Sequence, residues 1–99
     1  MKIAIPARNN SLESEIEERF GRAKGFIVFD TDTGKYQWVP NEQSIQSTQG
    51  AGIQSAKNVI DSGAEVLIAG NVGPKAYSIL QASGVEVYIC DVMPVSKAI

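Results

Sequence analysis

The sequence contains no histidine and only one cysteine, Cys90. Histidine is the commonest metal ligand and the commonest general base in proteins, so its absence counts against most metal centres and acid–base enzymes. A single cysteine cannot form an internal disulfide bond, and catalytic cysteines mostly work with a histidine that this chain does not have. We therefore expect a protein that is not an enzyme.

A strong net charge and long apolar segments are also absent. Nine basic and eleven acidic residues give a net charge of -2, which does not attract the chain to nucleic acid. The apolar runs are a few residues long, whereas a membrane-spanning helix needs about 20, and the N-terminus does not have the pattern of a signal peptide. We expect one cytoplasmic domain, residues 1–99, that binds neither nucleic acid nor membrane.

Apolar residues alternate or form short runs in five places, which predicts five strands. The first is "KIAIP" at residues 2–6; residues 25–29 and "KYQWV" flank the turn "DTDTG" and predict a β-hairpin. The continuous run at residues 66–69 is typical of a strand that is buried on both faces, and "VEVYIC" predicts the last strand.

Two helices separate the later strands. Apolar residues at helical spacing predict one that ends near Gly63, and Pro74 begins another that Gly84 closes. Strands that are separated by helices need parallel crossovers, whereas the hairpin is antiparallel. The expected fold is therefore α/β, with a mixed five-stranded sheet in which the first strand and the last two are parallel.

Three segments are harder to assign. In "LESEIEERF", Leu12, Ile16 and Phe20 recur at every fourth position, which fits a short helix or an irregular loop. The polar stretch at residues 41–50, "NEQSIQSTQG", predicts an exposed, mobile connection. The C-terminal "DVMPVSKAI" has the pattern of the beginning of a further helix.

The stretch "GNVGPK" holds the first candidate site residues, Asn71 and Gly73. Ligands of open α/β sheets bind beyond the carboxyl ends of the parallel strands, where the amides at helix N-termini suit an anion. Arg19 and Arg22 flank "FG" and could clamp a carboxylate or phosphate group. The simpler alternatives are that the turn is only a turn and that the arginines are only solvated.

Other motifs are weaker. The pair Gly50 and Gly52 has no preceding strand, so it does not match a dinucleotide-binding loop. The acidic run "ESEIEE" is more simply a solvated face than a metal site. Cys90 is a weak metal candidate: a lone cysteine is more often a small buried hydrophobe, although its thiolate could bind iron or copper.

Three stretches, "KIAIP", "RFGRAKGFIVFDTDTG" and "GAGIQSAKNVIDSGAEVLIAGNVGPKAYSILQASGVEVY", resemble the nitrogenase iron-molybdenum cofactor biosynthesis family, the NifX/NifB-type domain. The most specific matches lie at residues 20–23, 50–54 and 70–74. The resemblance implies a ribonuclease H-like fold and, in the nitrogenase members, a small carrier that holds an iron-sulfur or iron-molybdenum cluster.

The family commonly has a histidine directly before the phenylalanine, where this chain has Arg19. A guanidinium group stays protonated and has no lone pair for a metal. The resemblance therefore implies that Arg19, Arg22 and the helix start at Gly73 hold an anionic cluster by charge and hydrogen bonds.

Our leading hypothesis is a non-enzymatic carrier whose partners are a metal cluster and cluster-assembly proteins. The alternatives are a small-anion sensor or protein-interaction module that has lost the metal site and, with less support, a metal-dependent nuclease. The nuclease is disfavoured because the first predicted strand carries no carboxylate.

Overall fold

The computed structural model describes residues 1–41 and 51–99. Within these residues the strands are β1 (Lys2–Ala7), β2 (Gly25–Asp30), β3 (Tyr36–Pro40), β4 (Val66–Ala69) and β5 (Glu86–Ile89), and the helices are α1 (Ala51–Asp61), α2 (Pro74–Ala82) and α3 (Val95–Ala98). A single 3-10 turn, Phe20–Arg22, precedes β2.

The strand order in the sheet is β3-β2-β1-β4-β5. The first strand is antiparallel to β2 and parallel to β4, and β5 is parallel to β4. The predicted α/β fold with a mixed five-stranded sheet is therefore confirmed.

Glycine and proline mark the element ends that the sequence predicted. The turn before β3 and the ends of α1 and α2 have glycines with positive φ, namely Gly34 (72°), Gly63 (82°) and Gly84 (83°). Side chains other than glycine rarely adopt this conformation, so these residues stop each element at a defined position. Pro74 lies in the first turn of α2, where its missing N–H costs no hydrogen bond.

The sheet has an apolar cluster on each face because successive side chains of a strand point in opposite directions. The helix-side cluster joins one face of the sheet to α1, α2 and the 3-10 turn; its largest members include Phe20, Phe26, Leu67 and Leu80. The second cluster joins the other face to Ile16 and to Val95 of α3. None of the helices within the described residues is long and apolar enough to cross a membrane.

The structure shows the conformation of two segments that were hard to assign from the sequence. Residues 11–19 form bends and isolated bridges rather than a helix. Ile16 belongs to the second cluster and Phe20 to the helix-side cluster, so their regular spacing does not mark one helical face. At the C-terminus, the predicted beginning of a helix corresponds to the single turn α3.

The prediction of an exposed connection at residues 41–50 is wrong at Asn41, which is 0% exposed. Its side-chain amide donates hydrogen bonds to the carbonyl of Ala23 and the hydroxyl of Ser55, and its carbonyl accepts one from the Asn58 amide. These hydrogen bonds, to Ala23 and to two residues of α1, make burial of this polar group possible. Residues 42–50, the rest of the predicted connection, lie outside the described residues.

Candidate functional site

The candidate site is built by a chain segment that fills the gap between the carboxyl ends of β1 and β4. These strands pair at Ile3 and Ala4. Further along β1, Pro6 has no N–H to donate to a neighbouring strand. Its carbonyl instead accepts a hydrogen bond of 2.9 Å from the Glu17 amide, and Ala7 forms an isolated bridge with Ile16.

The same segment is joined to the turn after β4. The amide of Phe20 donates to the carbonyl of Asn71 with an N–O distance of 3.2 Å, and Arg19 forms a parallel bridge with Asn71. A side chain at Gly70 would place its Cβ 3.2 Å from both the Cα and the carbonyl oxygen of Glu18. Glycine at position 70 therefore permits the close approach that brings Arg19 beside Asn71.

The turn leads into α2, whose N-terminus has no side-chain cap. Gly73 is the N-cap residue, and its carbonyl accepts the first helical hydrogen bond from the Tyr77 amide. The amides of Lys75 and Ala76 precede this bond, so they have no partner inside the helix. Together with the helix dipole, these amides give the N-terminus of α2 a partial positive charge.

We call the surface formed by Arg19, Arg22, Asn71, Gly73 and Lys75 the rim. All five residues are exposed. Arg22 belongs to the 3-10 turn, where its amide donates to the Arg19 carbonyl at 3.0 Å. Lys75 was not among the site residues predicted from the sequence, although a lysine directly after Gly-Pro lies in the first helical turn and adds a cation there.

The rim also has carboxylates close by. Glu18 is exposed, and a carboxylate oxygen of Glu17 accepts a hydrogen bond from the Arg19 amide at 3.3 Å. These charges offset part of the positive charge of the arginines. Directed hydrogen bonds and local contacts, rather than a broad positive field, must therefore provide any affinity for an anion.

A groove of about 420 Å³ lies between α1 and α2 and shares Lys75 with the rim. It is lined by Ile53, Pro74, Lys75, Ser78 and Ile79. The groove therefore offers an apolar wall directly beside the helix start. Another cavity, of about 240 Å³, lies at the amino end of β1 around Lys2, Asp30 and Lys35, away from the rim.

A sequence profile of the family described as "Dinitrogenase iron-molybdenum cofactor" matches residues 1–99. The chain belongs to this family. An uncharacterized protein of Methanocaldococcus jannaschii is 32% identical over 104 residues, which cover 100% of this chain and 82% of the relative. The resemblance to the NifX/NifB-type domain is confirmed.

Two solved structures have the same fold as this member of the dinitrogenase iron-molybdenum cofactor family. The apo form of the orange protein from Desulfovibrio gigas has a TM-score of 0.94 and 41% identity, and the match covers 98% of this chain and 82% of that one. A putative NifB protein from Thermotoga, assigned to the DUF35 family, has a TM-score of 0.83 and 37% identity, with the same coverage.

The side chains of this family member suit an anion better than direct ligation of a metal. The described residues contain no group of three or more histidine, cysteine or acidic side chains that could hold a metal ion. Arginine has no lone pair to donate, so Arg19 and Arg22 can contribute only charge and N–H groups.

Cys90, the weak metal candidate, is half-buried, and its side chain packs against the second cluster, on the sheet face opposite α1 and α2. Its amide donates to the carbonyl of Ala69 at 2.9 Å, so its backbone lies near the turn that carries Asn71. Burial and, to a lesser extent, the charge of Asp91 raise the pKa of the Cys90 thiol. The thiol is therefore protonated at neutral pH and is a poor metal ligand in that form.

Proposed function

We propose that this chain is a non-enzymatic carrier that holds an anionic iron-sulfur or iron-molybdenum cluster during its assembly or delivery. Membership of the dinitrogenase iron-molybdenum cofactor family over residues 1–99 supports a role connected with such a cluster. The likeness to the orange protein supports this role further. The structure of that protein is of its apo form, and the term implies a second form with a bound group.

The observation that supports the proposal is the backbone bridge between Arg19 and Asn71, which joins the arginine segment to the turn before the uncapped start of α2. In the proposed complex Arg19 and Arg22 donate charge-assisted hydrogen bonds to the cargo. The Asn71 amide and the first amides of α2 donate further bonds, and Gly73 leaves room for the cargo to approach the backbone.

An anaerobic titration with preformed clusters tests the carrier role. The protein should retain iron through gel filtration, and Arg19→Ala or Arg22→Ala should weaken binding by at least about tenfold, the usual loss for a charge-assisted hydrogen bond. Lys35→Ala is the matched control, since it removes the same charge at the amino end of the sheet. The Cys90→Ala variant should bind clusters as the natural chain does.

The alternatives predict different results. If the chain retains no iron at micromolar concentration, it is not a carrier. If oxyanions then raise its melting temperature and Arg19→Ala removes the effect, the rim is the site of a small-anion sensor. Metal-dependent cleavage of nucleic acid that is lost in Asp91→Asn would establish the nuclease instead.

Two finer assignments accompany the proposal. We place the fold in the ribonuclease H-like group, because the sequence resembles that of the NifX/NifB-type domain. We also propose that the carrier acts in the cytoplasm with cluster-assembly proteins as partners.

A further inference from the structure

The two edge strands of the sheet differ in how well they are protected. Edge strands expose unpaired backbone groups, and proline or lysine commonly prevents them from pairing with another chain. At one edge, β3 contains Pro40 and follows directly after Lys35. At the other edge, β5 has the sequence "EVYI", with neither proline nor lysine. Within residues 1–41 and 51–99 no strand pairs with the outer side of β5, so this edge is available for pairing.

The hydrogen bonds to β4 show which backbone groups of β5 point outward. The amide of Glu86 donates to the carbonyl of Glu65 at 3.1 Å, and the amide of Cys90 donates to Ala69 at 2.9 Å. Backbone groups alternate in direction along a strand, so Glu86, Tyr88 and Cys90 face β4. The N–H and C=O groups of Val87 and Ile89 therefore point away from the sheet.

Large side chains of β5 are exposed on both faces of the edge. Ile89 is 61% exposed and lies on the face of Val87, which packs against the helix-side cluster. Tyr88 is 55% exposed and lies on the opposite face, where its hydroxyl donates to the Glu86 carboxylate at 2.9 Å. A strand added to this edge would cover apolar surface on both faces.

We propose that β5 pairs in antiparallel orientation with β5 of a second copy of this chain, about a two-fold axis that passes beside Tyr88. In this register Tyr88 lies opposite Tyr88 of the second copy, and Val87 lies opposite Ile89. The outward N–H and C=O groups of Val87 and Ile89 then form four hydrogen bonds between the copies, and the two tyrosines form a non-hydrogen-bonded pair. The two sheets become one sheet of ten strands.

The charge on the strand is compatible with this register. Glu86, the acidic residue of β5, lies opposite Cys90 of the second copy. Glu86 of one copy and Glu86 of the other are therefore four residues apart along the paired strands, or about 13 Å. This separation exceeds the screening length of about 8 Å at physiological salt. Because few residues take part, the interface is small and the dimer is weak and concentration-dependent.

Cysteine cross-linking tests the register. Non-hydrogen-bonded pairs have Cα atoms about 4.5 Å apart, within the range that a disulfide bond can span. In a Cys90→Ser background, Tyr88→Cys should form a covalent dimer at least about tenfold faster under mild oxidation than Tyr77→Cys. Tyr77 is the matched control because it is an exposed tyrosine on α2. Equal cross-linking rates would overturn the proposed register.

Sedimentation equilibrium of the unaltered chain, from about 10 μM to 1 mM, tests the dimer itself. The Ile89→Lys variant should raise the dissociation constant at least about tenfold, whereas Gln37→Lys on β3 should leave it unchanged. Circular dichroism checks that both variants are folded. If Ile89→Lys does not fold, the concentration series of the unaltered chain decides, and a monomer at every concentration overturns the proposal.

Discussion

At the scale of single residues, Gly70 controls how closely the turn after β4 approaches the arginine segment. The Gly70→Ala change would place a methyl group 3.2 Å from two backbone atoms of Glu18. Backbone atoms move less readily than the end of a side chain, so we expect a loss of about 1–3 kcal/mol in the free energy of unfolding. Urea denaturation followed by circular dichroism measures this loss.

Gly73→Ala is the matched control for that experiment. A Cβ at position 73 meets no atom within 4 Å, and the φ of -65° suits any residue. Alanine restricts the unfolded chain, which is stabilising, but it is a poorer N-cap residue than glycine, which is destabilising. The two effects oppose each other, so the stability of the variant should lie within about 0.5 kcal/mol of that of the natural chain. Equal losses in the two variants would show that the contact with Glu18 is unimportant.

Cys90 makes a prediction about pH. Burial raises the pKa of its thiol in the folded protein above the ordinary value of 9.0, so unfolding favours loss of the proton. The contribution of the Cys90 thiol to the free energy of unfolding is therefore fully present below pH 9. It is lost as the pH rises through the pKa of the thiol in the folded protein. Between pH 8 and 10.5 the natural chain should lose stability more steeply than Cys90→Ala. Parallel curves of unfolding free energy against pH would contradict this cause.

At the scale of secondary-structure elements, Asn41 connects the end of β3 to α1 and to the chain after the 3-10 turn. Asn41→Ala would leave the Ala23 carbonyl, the Ser55 hydroxyl and the Asn58 amide without these bonds. Two of these partners belong to residues that are 0% exposed, so we expect a loss of about 2–4 kcal/mol. Denaturant unfolding measures it.

The exposed Asn10→Ala variant provides the comparison and should change stability by less than about 0.5 kcal/mol. A similar small effect for Asn41→Ala would mean that water replaces the lost partners. Asn41 also shows why composition predicts exposure wrongly at this position. Asparagine is usually exposed, and the groups that form hydrogen bonds with its side chain lie 14 to 18 residues away in the sequence.

The regular elements were predictable because local patterns determine them. Alternating residues, short apolar runs and the glycines with positive φ produce the strands, the hairpin turn and the helix ends wherever the chain is placed. The segment at residues 11–19 was not predictable, because its conformation depends on the Pro6 carbonyl, Asn71 and the C-terminal segment.

For the candidate site, the general rule for parallel strands indicated the turn with Asn71 and Gly73. The sequence could not show that the chain before the 3-10 turn fills the gap between β1 and β4, since no local pattern encodes the bridges to Ala7 and Asn71. The sequence also did not indicate how much of the positive charge of the two arginines is offset by Glu17 and Glu18.

At the scale of the whole molecule, the two apolar clusters share one sheet, so neither should survive without the other. Trp38 packs against the second cluster, whereas α1 and α2 cover the helix-side cluster. Tryptophan fluorescence and far-ultraviolet circular dichroism therefore report on opposite faces. We expect both signals to change at the same denaturant concentration, as in a two-state transition.

Separate transitions of the two signals would contradict this expectation. If the tryptophan signal changes at a lower denaturant concentration than the helical signal, the second face opens first. The sheet would then not unite the two clusters into one cooperative unit.

The segment that fills the gap between β1 and β4 is attached at both of its ends, at Ala7 and Asn71. Residues 9–11, at the tip of the preceding loop, lie outside these attachments and are mostly exposed. Extra residues inserted at the tip would lengthen a surface loop at little entropic cost and leave both arginines where they are. Evolution can therefore vary the length of this protein at the tip without rebuilding the rim.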